Sequence, residues 1–386
     1  MVSRRTMIAG GAGAAVVAGL GYRSWDRGVF AGVGGPAYEP WNHWQGSVID
    51  GIKRPLAAAI LAANPHDSQP WLFQINNESS ITVYADRARN LGAFDPFRRE
   101  MHLGLGAAIE NLVHAANVHG YTPYVRPVAG RLTASPPNEP SIAAHITMDP
   151  GAPSRDPLYE AIPGRHTHRG LYLDKPVSTA VLHSLSQLVD DADVRVVFLT
   201  DSKARAEMGA LIAAATERIV ADPQMSADSA HWIRTGRRDI EKHRDGITLE
   251  AAGISQTTIM LAKFAPDLGA GLQDQTWLAN TRDTQVHAPV LGMILVKDRL
   301  DMAGAIAAGR AWQRLHLAAT AQGLVGQPLN QPVECIDRNA ELGRSDTYQN
   351  ALVKLAGAPG WQPTSPSGSV TRKSRHRFRR AGLWTM

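Results

Sequence analysis

The chain has 386 residues, 44% hydrophobic, 6% aromatic and 19% charged, which excludes a mainly disordered, collagen-like or polytopic membrane chain. Its length suits two domains or one elaborate one, and its one cysteine, Cys335, excludes an intramolecular disulfide framework and a Cys-rich metal cluster. The formal charge of +5 belongs to one end: Arg372, Lys373, Arg375, Arg377, Arg379 and Arg380 supply six positive charges and the rest of the chain carries −1, so no nucleic-acid face is expected on the body.

In chain order, Arg4-Arg5 precedes a Gly/Ala/Val run from Ala9 to Gly21, the charged start and weakly apolar stretch of a twin-arginine export signal. No small-x-small cleavage site follows, so residues 1–30 are expected to act as signal or membrane anchor. That places the protein outside the cytoplasm or at the cell envelope, with the cytoplasm as its location if the signal is not used. Gly11-Ala12-Gly13 has part of a dinucleotide-binding spacing, but no strand precedes it and the third glycine is missing. Residues 31–47 read as a Pro/Gly/Trp linker.

A helix is expected over 48–63, broken or started at Pro55. The loop Asn64-Pro65-His66-Asp67-Ser68-Gln69-Pro70-Trp71 follows, then a hairpin of strands over 72–76 and 81–85. Asp95-Pro96-Phe97-Arg98-Arg99-Glu100 reads as a structural ion-pair loop. Apolar residues at helical spacing predict a helix over 103–119, capped by Gly120. The turn cluster Asp149-Pro150-Gly151-Ala152-Pro153 divides a first half, 48–150, from a second, 151–356. The second half opens with Arg165-His166-Thr167-His168-Arg169, followed by a helix over 178–188, a strand over 194–200 and a helix to Ala221. Residues 222–288 are charged and helical in parts, without a strand pattern, and read as a lid inserted between strands. A buried strand follows over 290–296, and 357–386 form a basic tail.

One internal repeat organises this map. Residues 106–121 align without gaps on 309–324, with six of sixteen positions identical. The spacing is too long for a solenoid, so two related halves packed about a pseudo-twofold axis are expected.

Together, Gln69-Pro70-Trp71, the two Gly-x-Ala helices and the Arg-x-Thr-x-Arg run resemble the nitroreductase-like flavoprotein superfamily, whose members are usually homodimers with FMN at the interface. Within it, the chain resembles the Acg-type branch, in which two such units are fused; the likeness covers about residues 48 to 356. The resemblance implies an α+β fold with antiparallel-rich central sheets flanked by helices, and two related halves forming an intramolecular pseudo-dimer. It also implies a phosphate site at Arg165, His166, Thr167 and Arg169, just ahead of a helix, where alternating guanidinium forks and a hydroxyl suit an anion. Asn64, Pro65, His66, Asp67 and Gln69 would lie against the isoalloxazine or ribityl chain, with Asp67 where the family usually has Asn. Pro328, Leu329 and Asn330 would pass near flavin N5. The phosphate run occurs only in the second half and the Asn64 loop only in the first, so one FMN per chain is expected in a monomer. No carboxylate or Cys stands at ligand spacing near His166 and His168, and no metal is expected.

The implied activity is an FMN-dependent oxidoreductase of nitroreductase type. Hydride passes through N5 from NAD(P)H to a nitro or quinone-like acceptor, with no catalytic side chain required. The alternative is a flavin storage or sequestration protein, its lid plugged by Trp232, Met260, Phe264 and Trp277. Expected partners are a small-molecule donor and acceptor and the twin-arginine export machinery, with no nucleic acid. No Gly-x-Ser-x-Gly elbow, His-Glu-x-x-His helix or P-loop is present to support a hydrolase.

Overall fold

The computed structural model describes residues 21–23, 27–28, 34–46, 49–264, 270–365 and 371–372; the twin-arginine segment and the tail beyond Arg372 lie outside the described residues. The expected hairpin forms as β1 (Trp71–Asn77) and β2 (Ser80–Ala85), paired from Trp71↔Ala85 to Ile75↔Ile81. With β3 (Tyr121–Pro127) and β4 (Ser141–Pro150) it makes an antiparallel sheet of order β1-β2-β4-β3. The two-residue strand period turns Ile81, Val83 and Ala85 of β2 and Ala144, Ile146 and Met148 of β4 into one core. There they meet Leu105, Ile109 and Leu112, one face of the helix Arg99–Val118.

In the second half, β5 (Val194–Leu199) is followed by the helix Ser202–Val220 and then by the insertion. The insertion contains the helices Pro223–Ala230, Arg237–His243, Gln256–Phe264 and Ala270–Asp283. It also contains a parallel pair, β6 (Ile233–Arg234) with β7 (Ile247–Thr248). This corrects the expectation of no strands there: two residues are too few for a period to show. β8 (Leu291–Val296) returns antiparallel to β5, from Val194↔Val296 to Leu199↔Leu291. β9 (Leu324–Val325), β10 (Gln362–Ser365) and β11 (Thr371–Arg372) complete the strands. The second sheet has the order β10-β8-β5, and β11 pairs with β9.

β8 is buried along its whole length because helices cover both its faces. Leu291, Met293 and Leu295 pack against Met208 and Ile212 of Ser202–Val220 and against Val333 and Ile336 of the helix Gln331–Glu341. Ile294 and Val296 point the other way, to Ala308, Ala311 and Leu315 of the helix Met302–Ala321. The fold is therefore α+β, antiparallel sheets flanked by helices, as expected.

Three segments differ from expectation. The first long helix is shorter, Lys53–Ala59, because Pro55 is tolerated only in a first turn. Within the stretch read as linker, Trp44 is buried, its ring 5.1 Å from Tyr159 and packed on Leu61 and Leu317. The basic tail starts later than residue 357, since Ala358 and Trp361 are core residues and β10 belongs to the second sheet.

The two repeat helices, Arg99–Val118 and Met302–Ala321, are each 20 residues long and lie against each other at the aligned glycines. A Cβ on Gly106 would collide with the Ile306 carbonyl, and one on Gly309 with the Leu103 carbonyl, so glycine is what lets these backbones approach. The contacts beside the crossing are reciprocal. Glu110 accepts from Arg314 Nε at 2.6 Å, while Gln313, which aligns with Glu110, donates to Asn111 Oδ1 at 2.8 Å. Asn111 aligns with Arg314, so the same pair of repeat positions meets twice.

Candidate functional site

A cavity of about 520 Å³, the size of a small-molecule site, opens where three parts of the chain converge. The first half contributes Asn64, Pro65, His66, Glu100, Leu103 and Gly104. The second half contributes Thr167, Arg169, Trp312, Gln327, Pro328 and Asn330, with Gln331, Glu334 and Ser365 beyond them. The insertion covers it with Ile247, Leu249, Leu261, Leu272 and Trp277 among others.

The Asn64 loop is strained and braced. His66, Asp67 and Gln69 all have φ near +50°, at 51°, 52° and 51°, and left-handed non-glycine residues cost on the order of 1 kcal/mol each or more. Such a loop persists only when its surroundings hold it. Asn64 Oδ1 accepts from Gln69 N at 2.8 Å, and Arg89 Nε donates to Ser68 O at 2.5 Å. Three further braces come from the insertion: Gln69 Nε2 to Arg244 O at 2.8 Å, Gly246 N to Asp67 O at 3.0 Å, and His66 Nε2 with Ser229 Oγ at 3.1 Å. On the other side Gly104 lets the loop sit on the first repeat helix, since a Cβ there would lie 3.0 Å from Pro65 Cδ.

The Arg165 to Arg169 run lies beside the segment after the second repeat helix. Thr167 bridges Gly326 in parallel and His168 N donates to Gly326 O at 3.1 Å. The run does not stand just ahead of a helix: it follows the short turn Ile162–Gly164, and the next helix, Thr179–Ser186, begins well after it. The run itself therefore brings no helix start to an anion.

Arg165 is buried with no carboxylate within ion-pair distance among the described residues. Its Nη2 reaches Leu61 O at 3.4 Å, its Nε has no partner, and its guanidinium lies 5.8 Å over the Trp41 ring. Burial presses it down to about 10. Burial likewise lowers Arg169, whose Nη1 donates to Ala251 O at 3.1 Å. Asp67 reaches solvent at its surface, yet the protein around it pushes its carboxyl up to about 6, against the pull of Asn64 and Arg165. Burial, then the Arg169 charge, lowers His66 to about 4, so the imidazole is neutral.

Seven of the twelve residues singled out in the sequence line the cavity: Asn64, Pro65, His66, Thr167, Arg169, Pro328 and Asn330. Arg165, His166, Asp67, Gln69 and Leu329 are not in its wall. His166 is exposed, and Leu329 packs in the core with Leu199 and Met208. Of the four apolar residues expected to plug it, Trp277 lines the cavity, whereas Trp232 is core beside Leu91 and Phe94.

Sequence reasoning missed Glu100, Gln327, Gln331 and Glu334. Glu100 ended the charged run read as an ion-pair loop, and Gln327 and Gln331 flanked the candidates Pro328, Leu329 and Asn330, whereas nothing in the sequence marked Glu334. Arg99 in that run does form ion pairs, to Asp337 at 2.6 Å and Glu100 at 3.2 Å, while the Glu100 side chain faces the cavity. Among the described residues no cluster of metal ligands is present, and no helix is long and apolar enough to cross a membrane.

No protein-family model matches the chain. Two Mycobacterium tuberculosis proteins, from strains CDC 1551 / Oshkosh and ATCC 25618 / H37Rv and both provisionally named NAD(P)H nitroreductase, are each 25% identical over 319 residues, spanning 81% of this chain and 85% of theirs. Among solved structures, an FMN-bound nitroreductase of Bacteroides fragilis NCTC 9343 aligns over 60% of this chain and 96% of its own, at 12% identity and a TM-score of 0.34. A provisionally named nitroreductase of Anabaena variabilis ATCC 29413 aligns over 76% of this chain and 69% of its own, at 12% identity and a TM-score of 0.41. Scores of that size carry no argument about the site. The chain is thus similar in sequence to nitroreductases, over most of its length.

Proposed function

We propose that the protein is an FMN-dependent oxidoreductase of nitroreductase type, taking electrons from NAD(P)H and reducing a nitro or quinone-like acceptor. The observation that carries this reading is the convergence of the Asn64 loop, the Arg165 to Arg169 run and the Gln327 to Asn330 segment, from opposite halves of the chain, at one cavity. The named relatives add to it.

The residues present fit FMN. Arg165 is a buried cation whose Nε lacks a partner, and Arg169 and Thr167 stand on the same alternating run, a donor set suited to a phosphate. Gln327 offers an amide with neither atom partnered. When bound, FMN supplies two-electron hydride chemistry that no side chain can perform. The chain's part is then to hold the phosphate with Thr167 and Arg169 on the cavity wall and Arg165 from behind it, to place the ring against the strained Asn64 loop, and to exclude water with the apolar residues of the insertion. Each half supplies what the other lacks, which supports one FMN per chain in a fused pseudo-dimer acting as a monomer. The twin-arginine segment supports export of the folded protein to the cell envelope.

A second reading is favoured by the roof. Leu249, Leu261, Leu272 and Trp277 close over the cavity, and a roof that stayed shut would make the protein a flavin store without turnover. Acid release and chromatographic counting of flavin from the purified full chain, followed by anaerobic addition of NADPH, tests both. One FMN per chain that bleaches supports the oxidoreductase; one that does not bleach supports storage; no FMN after reconstitution refutes both.

A further inference from the structure

The deep wall of the cavity carries a pair of carboxyls that the reading above does not use. Glu100, at the start of the first repeat helix, and Glu334, in the helix Gln331–Glu341, are 3% and 5% exposed and both line the cavity. Glu100 pairs with Arg99 at 3.2 Å, whereas no cation lies within ion-pair distance of Glu334 among the described residues and its Oε2 is buried without a hydrogen-bond partner. A buried carboxylate with neither a cation nor a donor, on the same wall as a second carboxyl, is held in its protonated form.

The charges around the pair point the same way. Arg99 and Arg299 both bond Asp337, at 2.6 and 3.0 Å. Asp95 accepts from Glu100 N at 3.1 Å and Met101 N at 3.0 Å, bonds that with the Arg99 charge favour its ionised form against the burial that pushes its carboxyl up. A third guanidinium, Arg98, donates to Asp95 O at 2.9 Å and feels the charges of Asp95, Glu341 and Asp228, so the cations here are shared among Asp95, Asp337 and Glu100 and none pairs with Glu334 among the described residues. The buried Cys335 beside Glu334 is pushed well up by burial, then by Glu334, and stays a neutral thiol, with Arg218, Asp346 and Asp222 the further charges acting there. A ligand is indicated independently: Gln327, 1% exposed and on the same wall, has both amide atoms unpartnered, and Gln331 Oε1 is likewise orphaned.

We propose that Glu100 and Glu334 hold one proton between them on the cavity wall, and that Glu334 gives it to an oxygen of the bound acceptor as that acceptor is reduced. The proposal rests on the oxidoreductase reading. A quinone becoming a hydroquinone gains two electrons and a hydrogen as hydride at one oxygen, ultimately from the dihydronicotinamide donor, and a proton at the other. The O–H bond of Glu334 breaks, the new O–H forms on the acceptor, and the pair is left as two carboxylates until solvent returns the proton. The Gln327 amide, a free N–H donor, orients the acceptor's oxygens.

The test uses the purified full-length protein with Glu334→Gln and Glu100→Gln, the second covering failure of the first to fold. Infrared difference spectra between about pH 5 and 9 should show a protonated-carboxyl band in the wild type that outlasts neutral pH, because burial and then the Glu100 charge push Glu334 well up, and that is missing from Glu334→Gln and shifted in Glu100→Gln. NADPH-driven reduction of menadione, which needs a proton, is compared with that of ferricyanide, which needs none. The menadione-to-ferricyanide ratio should fall at least about tenfold in Glu334→Gln, at the low end for general-acid catalysis. A titrating band that persists in both variants, or an unchanged ratio, overturns the proposal. If the wild type is not reduced by NADPH, the oxidoreductase reading fails, and the infrared band alone decides whether the pair holds the proton.

Discussion

Replacing Arg165 by methionine should stabilise the ligand-free protein and weaken its hold on FMN. The side chain is 7% exposed and has one long hydrogen bond, to Leu61 O at 3.4 Å. Burial lowers its guanidinium from its ordinary value to about 10, which at about 1.36 kcal/mol per pH unit is about 3 kcal/mol against the charged form. Methionine keeps much of the packing and removes that term, while forfeiting a cation–π contact with Trp41 of about 0.5–1 kcal/mol. The expected net gain is about 1–3 kcal/mol in urea unfolding of flavin-free protein, at constant m. The same change removes a charge-assisted phosphate contact, so FMN affinity, read from flavin fluorescence, should fall roughly tenfold to hundredfold. A ligand-free Arg165→Met protein that is less stable than wild type, or that binds FMN equally well, would refute the reasoning that this cation awaits an anion.

Gly309→Ala places a Cβ 2.7 Å from Leu103 C and 2.8 Å from Leu103 Cα, so the crossing must open at a cost of about 1–3 kcal/mol; an unaltered urea midpoint would show that the contact is not tight. His114 tests the pH dependence of that crossing. Burial opposes its charge, but Asp156 and Glu110 outweigh burial and push it up to about 9. Its folded value lies above the unfolded one, so this contribution is complete below about 6.5 and is lost as pH rises through about 9. The unfolding midpoint should decline over that window in wild type and decline less in His114→Gln; equal slopes would remove His114 from the account. Asp67→Asn removes a carboxyl that disfavours an anionic reduced flavin and should raise the FMN midpoint potential in a spectroelectrochemical titration. No change would place Asp67 away from the ring.

Much of the architecture was legible because it is local. Strands β1, β2, β5 and β8 announced themselves as apolar or β-branched runs between turns, whereas β3 and β4 went unread, and the repeat helices showed by apolar spacing and a closing glycine: Gly120 and Gly323 have φ of 80° and 71°. The repeat alignment also put Gly106 and Gly309 at one position, and they meet at the helix crossing. The Asn64 loop and the Arg165 to Arg169 run were visible as residue types in a pattern. What they contact was not, since Thr167 meets Gly326 and Gln69 meets Arg244 across long stretches of chain.

The carboxyl pair was invisible for a physical reason. Glu100 stood in a charged run that reads as an ion-pair loop, and Glu334 stood alone in a helix where a surface glutamate is the ordinary case. Residue type, periodicity and turn chemistry are properties of neighbours along the chain, and these the sequence by itself determined. Whether a carboxyl ends in solvent or faces another across a cavity depends on how distant helices pack. Here the tertiary structure alone decided it, by bringing the start of the first repeat helix against the helix Gln331–Glu341 and removing water from both.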